Sequence, residues 1–383
     1  EAPMGRVFVG AGVLALAALG AGGCGGQEEG PPPCLVQGCD GARLCERAAD
    51  PEARGPWPVG ARTLQVAGLT TEVWYPAEFG SQRGLDPVVY DVRAELPLSE
   101  QGKIPDRDTP WQTCDCHRDL PLDAERGPYP VLLYMHGTAA FRSQSLTQMT
   151  HWASRGFVVV AADHPGLYLA DMLDFQGEAH LEADGQALLA ALRAPGGELA
   201  FLAGHVDAGR VGLSGHSAGG KGVSTFGSEP GVRVIAPMAY AGVEPGTEVE
   251  SVLVLGALDD RVAAWTRQQE GYASSPAPRR LVGIADAGHL VFTDLCALKN
   301  AAGQDLIEIA LEHEVQNASL AELLWDGCAP EQIAPAEGWA IVNHVTTAVF
   351  ESVLQCQPAP DFSDLQARHP RVAVLEEDLS AGD

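Results

Sequence analysis

The sequence has few positively charged residues for its length. Its 383 residues include 24 lysines and arginines against 51 aspartates and glutamates, which gives a net charge of −27 at pH 7. Nucleic-acid binding needs a basic face, and docking on anionic lipid headgroups needs basic clusters. The charge therefore argues against both kinds of partner. Apolar residues make up 46% of the chain and charged residues 20%, a composition typical of a globular protein and not of a disordered one.

The N-terminal apolar run is too short to predict a membrane-spanning helix. It covers residues 7–23 after Arg6 and is interrupted by glycines, whereas a spanning helix needs about 20 strongly apolar residues. This order is typical of a secretory signal peptide, which we place at residues 1–23. Small residues precede Cys24, so the site resembles a bacterial lipobox and predicts lipid attachment there. Ordinary cleavage nearby is the alternative. Either way the protein is expected to be exported: to the bacterial outer membrane, periplasm or cell surface as a lipoprotein, or secreted.

Eight cysteines remain when Cys24 is set aside. They are Cys34, Cys39, Cys45, Cys114, Cys116, Cys296, Cys328 and Cys356. An even number in an exported protein predicts disulfides, although parity leaves the pairing open. Cys114, Cys116 and His117 lack a second ligand pair at zinc-finger spacing. We therefore predict no metal site, and we predict no cofactor.

The pattern along the chain predicts an α/β fold. Residues 24–60 are rich in Gly, Pro and Cys and are typical of a tether. Two short strands around a turn at Gly68 are expected next. Continuous apolar runs then alternate with amphipathic stretches, which predicts a mostly parallel sheet with helices on both faces. These runs are residues 131–135, 157–162, 211–213, 232–236, 252–255 and 281–284. Residues 357–383 are acidic and are expected to form a mobile tail.

The sharpest motif is Gly-His-Ser-Ala-Gly at residues 215–219. An apolar run precedes it and small residues follow, as in the strand–turn–helix setting of a nucleophile elbow. Ser217 would take strained backbone angles there, so Gly215 and Gly219 must lack side chains. Ser217 is therefore the predicted nucleophile, and a plain strand-to-helix turn is the alternative.

A serine hydroxyl needs a base, and in this arrangement the chain order is Ser, acid, His. Asp259 and Asp260 follow a buried strand, which would deliver a carboxylate to its carboxyl end. We favour Asp259 as the acid, with Asp260 as its rival. His289 follows a glycine in a turn after the next strand and is the predicted base. The later candidates His313, His344 and His369 are not favoured, because they lie on helices or in the tail.

Oxyanion binding needs a second donor from an earlier loop. A predicted strand ends in His136-Gly137-Thr138, so we expect the backbone N–H groups of Thr138 and Ala218 to bind the oxyanion. His136 is interpreted as a structural anchor of this turn.

With these residues the sequence resembles the α/β-hydrolase superfamily. It is most similar to the branch that includes plasma-type platelet-activating-factor acetylhydrolases, dienelactone-hydrolase-like proteins, chlorophyllases and bacterial polyester hydrolases. The resemblance rests on residues 136–142, 154–160, 163–166, 215–221 and 288–294. It covers a domain at residues 61–356, with unmatched insertions at 77–128 and 300–338. The resemblance implies an ester hydrolase with Ser217, Asp259 and His289 as its triad.

The expected function is hydrolysis of small or short-acyl carboxylic esters, including phospholipid acetyl esters. Polyester hydrolysis is the first alternative, and an open cleft lined by aromatic side chains would favour it. A catalytically inactive binding lipoprotein is an alternative of another class. Candidate substrate-pocket residues are Phe141, Trp152, Tyr168 and Trp265.

Overall fold

A computed structural model describes residues 48–380 of the chain. Its strands are Val59–Val66 (β1), Leu69–Pro76 (β2), Val89–Asp91 (β3), Trp111–Thr113 (β4), His117–Arg118 (β5), Tyr129–Met135 (β6), Val158–Ala162 (β7), Val206–His216 (β8), Val232–Met238 (β9), Ser251–Ala257 (β10), Arg279–Ile284 (β11) and Val372–Asp378 (β12). The predicted signal peptide, Cys24, Cys34, Cys39 and Cys45 lie outside the described residues.

Helices alternate with the later strands. They are Leu98–Gln101 (α1), Leu146–Ser154 (α2), Leu169–Asp174 (α3), Leu181–Arg193 (α4), Ala218–Ser224 (α5), Trp265–Ser274 (α6), Leu306–Glu312 (α7), Ala318–Ala321 (α8), Pro335–Leu354 (α9) and Leu365–Arg368 (α10). Among the described residues, no helix is both long and apolar enough to cross a bilayer.

A 10-stranded sheet organises the domain in the order β12-β11-β10-β9-β8-β6-β7-β2-β1-β5. The strands from β11 to β7 run parallel, as the continuous apolar runs predicted. The hairpin of β1 and β2 joins antiparallel to β7, with its turn at the predicted glycine. Because β6 and β8 are parallel neighbours, their carboxyl ends carry the oxyanion loop and the nucleophile to the same edge of the sheet.

The side chains of the sheet belong to two separate hydrophobic cores, one on each face. In β6, Leu132 and Tyr134 belong to the core under α2 and α9, whereas Val131, Leu133 and Met135 belong to the core under α4. This division follows from the period-2 alternation of a strand. Both faces are therefore buried, and the site is built at the carboxyl edge of the sheet.

The prediction that residues 357–383 form a mobile acidic tail is wrong for its last strand. Residues 372–378 form β12, which pairs antiparallel with β11 at the edge of the sheet. Arg279 and Arg280 hold its carboxylates through Asp378 and Glu377, at 3.0 and 2.9 Å. Glu377 and Asp378 therefore pair with two arginines of the neighbouring strand, so residues 372–378 are part of the fold.

The two insertions lie against each other. Residues 77–128 contain the small β3–β4 sheet and α1, and residues 300–338 contain α7 and α8. Lys103 donates to the carbonyl of Glu314 at 2.7 Å, and the backbone N–H of Gln316 donates to Glu100 at 2.7 Å. Disulfides join Cys114 to Cys116 and Cys296 to Cys328. The second disulfide ties the second insertion to the segment that follows β11.

Candidate active site

The predicted nucleophile lies in a strained turn between β8 and α5. Ser217 has φ 55° and ψ −117°, a region that residues with a side chain rarely occupy. A Cβ on Gly215 would come within 2.5 Å of the carbonyl oxygen of Gly219. A Cβ on Gly219 would overlap the carbonyl oxygen of Met135. The turn thus requires both glycines, as predicted for a nucleophile elbow.

His289 is hydrogen-bonded to a buried carboxylate. Its Nδ1 lies 2.9 Å from Oδ2 and 3.1 Å from Oδ1 of Asp260. The same carboxylate accepts from the backbone N–H groups of Val262 and Ala263, at 2.8 and 2.7 Å. These donors fix the carboxylate, which in turn orients the imidazole.

The prediction that Asp259 is the acid is therefore wrong, because the carboxylate that contacts His289 belongs to Asp260. Its backbone N–H donates to the carbonyl of Ala287 at 3.0 Å, and its side chain borders an open polar depression with Arg261 and Asp286. Asp260 instead folds back over the next two residues in an Asx turn, which points its carboxylate inward. The rival that the sequence left open is the partner of His289.

Ser217 and His289 both line one small cavity. Thr138 also lines this cavity, so the predicted oxyanion loop, nucleophile and base face one space. Ala218 is the first residue of α5, where backbone N–H groups have no partner within the helix. The arrangement places a hydroxyl, an imidazole and backbone donors around one site, as acyl transfer requires.

The oxyanion loop is held by buried polar side chains. Gln144 accepts from the backbone N–H of Gly137 at 3.2 Å and donates to the hydroxyl of Tyr134 at 2.8 Å. His136 accepts from the backbone N–H of His164 through Nε2, so its Nδ1 carries the proton and donates to the carbonyl of Gly137. Burial lowers the pKa of His136 to about 3, so the ring is neutral. Its interpretation as an anchor agrees with these contacts.

His216 contacts both the backbone and the ring of His289. Its Nε2–H donates to the carbonyl of His289 at 2.9 Å, and the two rings lie 4.7 Å apart. Burial and the neighbouring His289 hold the pKa of His216 well below its ordinary value. A neutral ring therefore positions the base loop. His216 is the first variable residue of the Gly-x-Ser-x-Gly motif, and the motif by itself predicts no role for it.

Asp326 was missed altogether. Its carboxylate accepts from the backbone N–H of His289 at 2.9 Å, and its carbonyl accepts from the N–H of Leu290 at 2.7 Å. It comes from the second insertion, 37 residues after His289. No motif in the sequence marks it.

The four predicted pocket residues have different locations. Phe141 lines an apolar cavity next to Ser217. Tyr168 packs near Phe141 and donates to Glu95 at 2.8 Å. Trp152 is wrong as a pocket residue: it lies in the core and donates to Thr346 at 3.0 Å. Trp265 is also wrong, because it packs over Gly256 and Gly283 of β10 and β11, where the strands leave room for its ring.

One cluster in the described part of the chain has metal-ligand composition. Ligand atoms of Glu52, His344 and His369 lie within 4.8 Å of one another. Arg368 contacts Glu52 at 2.6 Å, and its positive charge opposes a cation there. The predicted active site does not include these residues.

Comparisons with known proteins agree with the resemblance to α/β hydrolases. A family model described as Chlorophyllase matches residues 120–249, which include the oxyanion loop and the elbow but end before Asp260 and His289. No curated protein matches the chain.

Among solved structures, a ferulic acid esterase from Streptomyces cinnamoneus superposes with a TM-score of 0.57 at 20% identity. The match covers 85% of this chain and 98% of that one. At this identity the likeness shows the fold, and the chain has the α/β-hydrolase fold that the sequence predicted. The number of matching chains, 670, indicates a fold that hosts many functions. The chemistry must therefore be argued from the site.

Proposed function

We propose that the protein is a serine-dependent carboxylic ester hydrolase with Ser217, His289 and Asp260 as its triad. The observation that carries the proposal is the pairing of His289 with buried Asp260 in the turn that opens on the cavity of Ser217. The Chlorophyllase match and the ferulic acid esterase likeness support an esterase over a binding protein.

In the proposed mechanism, His289 takes the Ser217 proton as the hydroxyl attacks the ester carbonyl. Asp260 holds the imidazole with Nδ1 protonated and stabilises the cation that forms. The backbone N–H groups of Thr138 and Ala218 bind the oxyanion. The imidazolium protonates the departing alcohol, and the same base then activates water to release the acid from Ser217.

Replacing the nucleophile tests this proposal. Ser217→Ala should lower kcat for p-nitrophenyl acetate by about 10⁶ and abolish labelling by a fluorophosphonate probe. Ser224→Ala is the control, because that hydroxyl bonds only within its own helix, to the carbonyl of Lys221. Full turnover by purified Ser217→Ala, or an unlabelled wild-type protein with no esterase activity, would reject the proposal; the latter would favour the inactive binding lipoprotein.

The alternative of polyester hydrolysis gains no support from the site. An open aromatic cleft was its expected signature, yet two of the proposed aromatic residues lie elsewhere, and leucines 290, 295 and 324 border the cavity at Ser217. Small-molecule esters fit this enclosed site better than a polymer chain.

We further propose that the protein is exported and lipid-anchored through Cys24. The leader at residues 7–23 and the disulfides at Cys114–Cys116 and Cys296–Cys328 support an oxidising compartment. Growth with an alkyne fatty acid should label the wild-type protein, whereas Cys24→Ser should carry no label. Equal labelling of both proteins would contradict lipid attachment at this residue.

A further inference from the structure

An apolar cavity lies beside the proposed active site. Its lining is almost entirely apolar, as is typical of small-molecule sites in proteins. Thr138, Leu290, Leu295 and Leu324 border both this cavity and the smaller one that holds Ser217 and His289. A substrate whose carbonyl lies at Ser217 could therefore extend directly into it.

Both insertions build the walls of this cavity. Val92 and Leu96 come from the first insertion, and Ile309 and Trp325 come from the second. Phe141, which lies outside both insertions, forms another part of the wall. The insertions and the core of the domain therefore build the cavity together.

The chemistry of the lining selects an aliphatic ligand. Its side chains are mostly Leu, Ile, Val and Ala, with only Phe141 and Trp325 aromatic. Thr138 faces both this cavity and the one at Ser217, and the other polar side chains of the lining are already engaged: Arg93 pairs with Asp91 at 2.7 Å and Asp106 at 2.8 Å, and Trp325 donates to Asp305 at 3.1 Å. A ligand with a hydroxyl or charged group deep in the cavity would lose hydration without gaining a partner.

We propose that this cavity binds a saturated hydrocarbon chain of the ester substrate. The inference rests on the proposed esterase function and names its substrate class: esters with a medium-length alkyl chain on the acyl or the alcohol side. Chain burial drives recognition. Beyond Thr138, where the cavity adjoins the site of Ser217, the lining offers no free polar partner to a hydroxylated aromatic acid such as a feruloyl group.

The first test uses the wild-type protein with two substrate series. One series is p-nitrophenyl esters from acetate to palmitate, and the other is acetate esters of straight-chain alcohols from ethanol to dodecanol. In one of them kcat/KM should rise about fourfold per methylene until the cavity is full. The series that rises shows which side of the ester holds the chain. Flat or falling values in both series, or faster turnover of methyl ferulate than of the best alkyl ester, would overturn the proposal.

A second test fills the cavity. Ala310 lies on α7 and lines the cavity. In the series that responds, we compare kcat/KM for the substrate with an eight-carbon chain with kcat/KM for the shortest substrate. Ala310→Phe should lower this ratio at least tenfold. Ala301→Phe is the matched control, because Ala301 is exposed and outside the cavity. An unchanged ratio in Ala310→Phe would place the chain elsewhere and overturn the proposal. Failure of the proposed function looks different, since the wild-type protein would then cleave no ester and resist the fluorophosphonate probe.

Discussion

At the end of β10, two consecutive aspartates differ in what their carboxylates contact. Asp260 is buried, accepts two backbone N–H groups and bonds His289. Asp259 borders an open depression beside Arg261. The sequence placed an acid at this strand end correctly, because the strand and its order in the chain are visible in the apolar pattern. Which of two neighbouring side chains turns inward depends on the turn dihedrals, and the residue types do not encode them.

Neutralising each aspartate separates their roles. Asp260→Asn should lower kcat about 10⁴-fold, because an amide favours the wrong tautomer of His289. Asp259→Asn should keep about the wild-type kcat, because its side chain lies away from the cavity. Steady-state hydrolysis of p-nitrophenyl acetate measures both. The opposite ranking would restore Asp259 as the acid.

The elbow glycine offers a second test at a single residue. Gly219→Ala places a methyl group on the carbonyl oxygen of Met135, so the elbow must move and kcat should fall at least about 100-fold, since small displacements of catalytic groups are costly. Gly102→Ala is the control, because its φ is −75° and nothing lies within 4 Å of a Cβ there. Wild-type kinetics in Gly219→Ala would show that the turn tolerates a side chain.

At the scale of elements, the buried strands were predictable and the edge strand was not. β6, β7 and β10 are buried along their whole lengths, so each reads as a continuous apolar run. β12 is only partly buried and ends in Glu376, Glu377 and Asp378, so its composition favours a solvated tail. Its pairing with β11 depends on arginines distant in sequence. The contacts of Asp326 with the His289 loop are equally non-local.

Removing β12 tests its structural role. Deletion of residues 372–378 and everything after them exposes the edge of β11 and breaks several backbone hydrogen bonds, each worth about 1 kcal/mol. The variant should unfold at a lower urea concentration and aggregate more readily than the full chain. Deletion of residues 379–383 alone is the control and should leave the urea midpoint in place. Equal midpoints for both deletions would mean that β12 adds no stability.

At the scale of the whole molecule, buried histidines and buried carboxyls change the free energy of unfolding with pH in opposite directions. Burial lowers the pKa of His136 and His151 to about 3 and that of His344 to about 4, from 6.5, and it also lowers that of His216. Burial raises the pKa of Glu95 and Asp294 to about 7. The histidine contribution to stability is complete above pH 6.5 and is lost on acidification. The contribution of the two carboxyls is present at acidic pH and is lost as the pH rises towards 7.

The histidines outnumber these carboxyls, so the unfolded chain binds more protons between pH 4.5 and 6.5. The free energy of unfolding should therefore fall as the pH is lowered through this window. His136→Gln removes one group that binds a proton only in the unfolded chain. It should therefore reduce the slope of the free energy of unfolding against pH by up to about 1.4 kcal/mol per pH unit. His180→Gln is the control, because that side chain is 62% exposed. Urea unfolding at pH 5, 6 and 7 measures the slopes; an identical slope in wild type and His136→Gln would show that His136 protonates alike in the folded and unfolded chains.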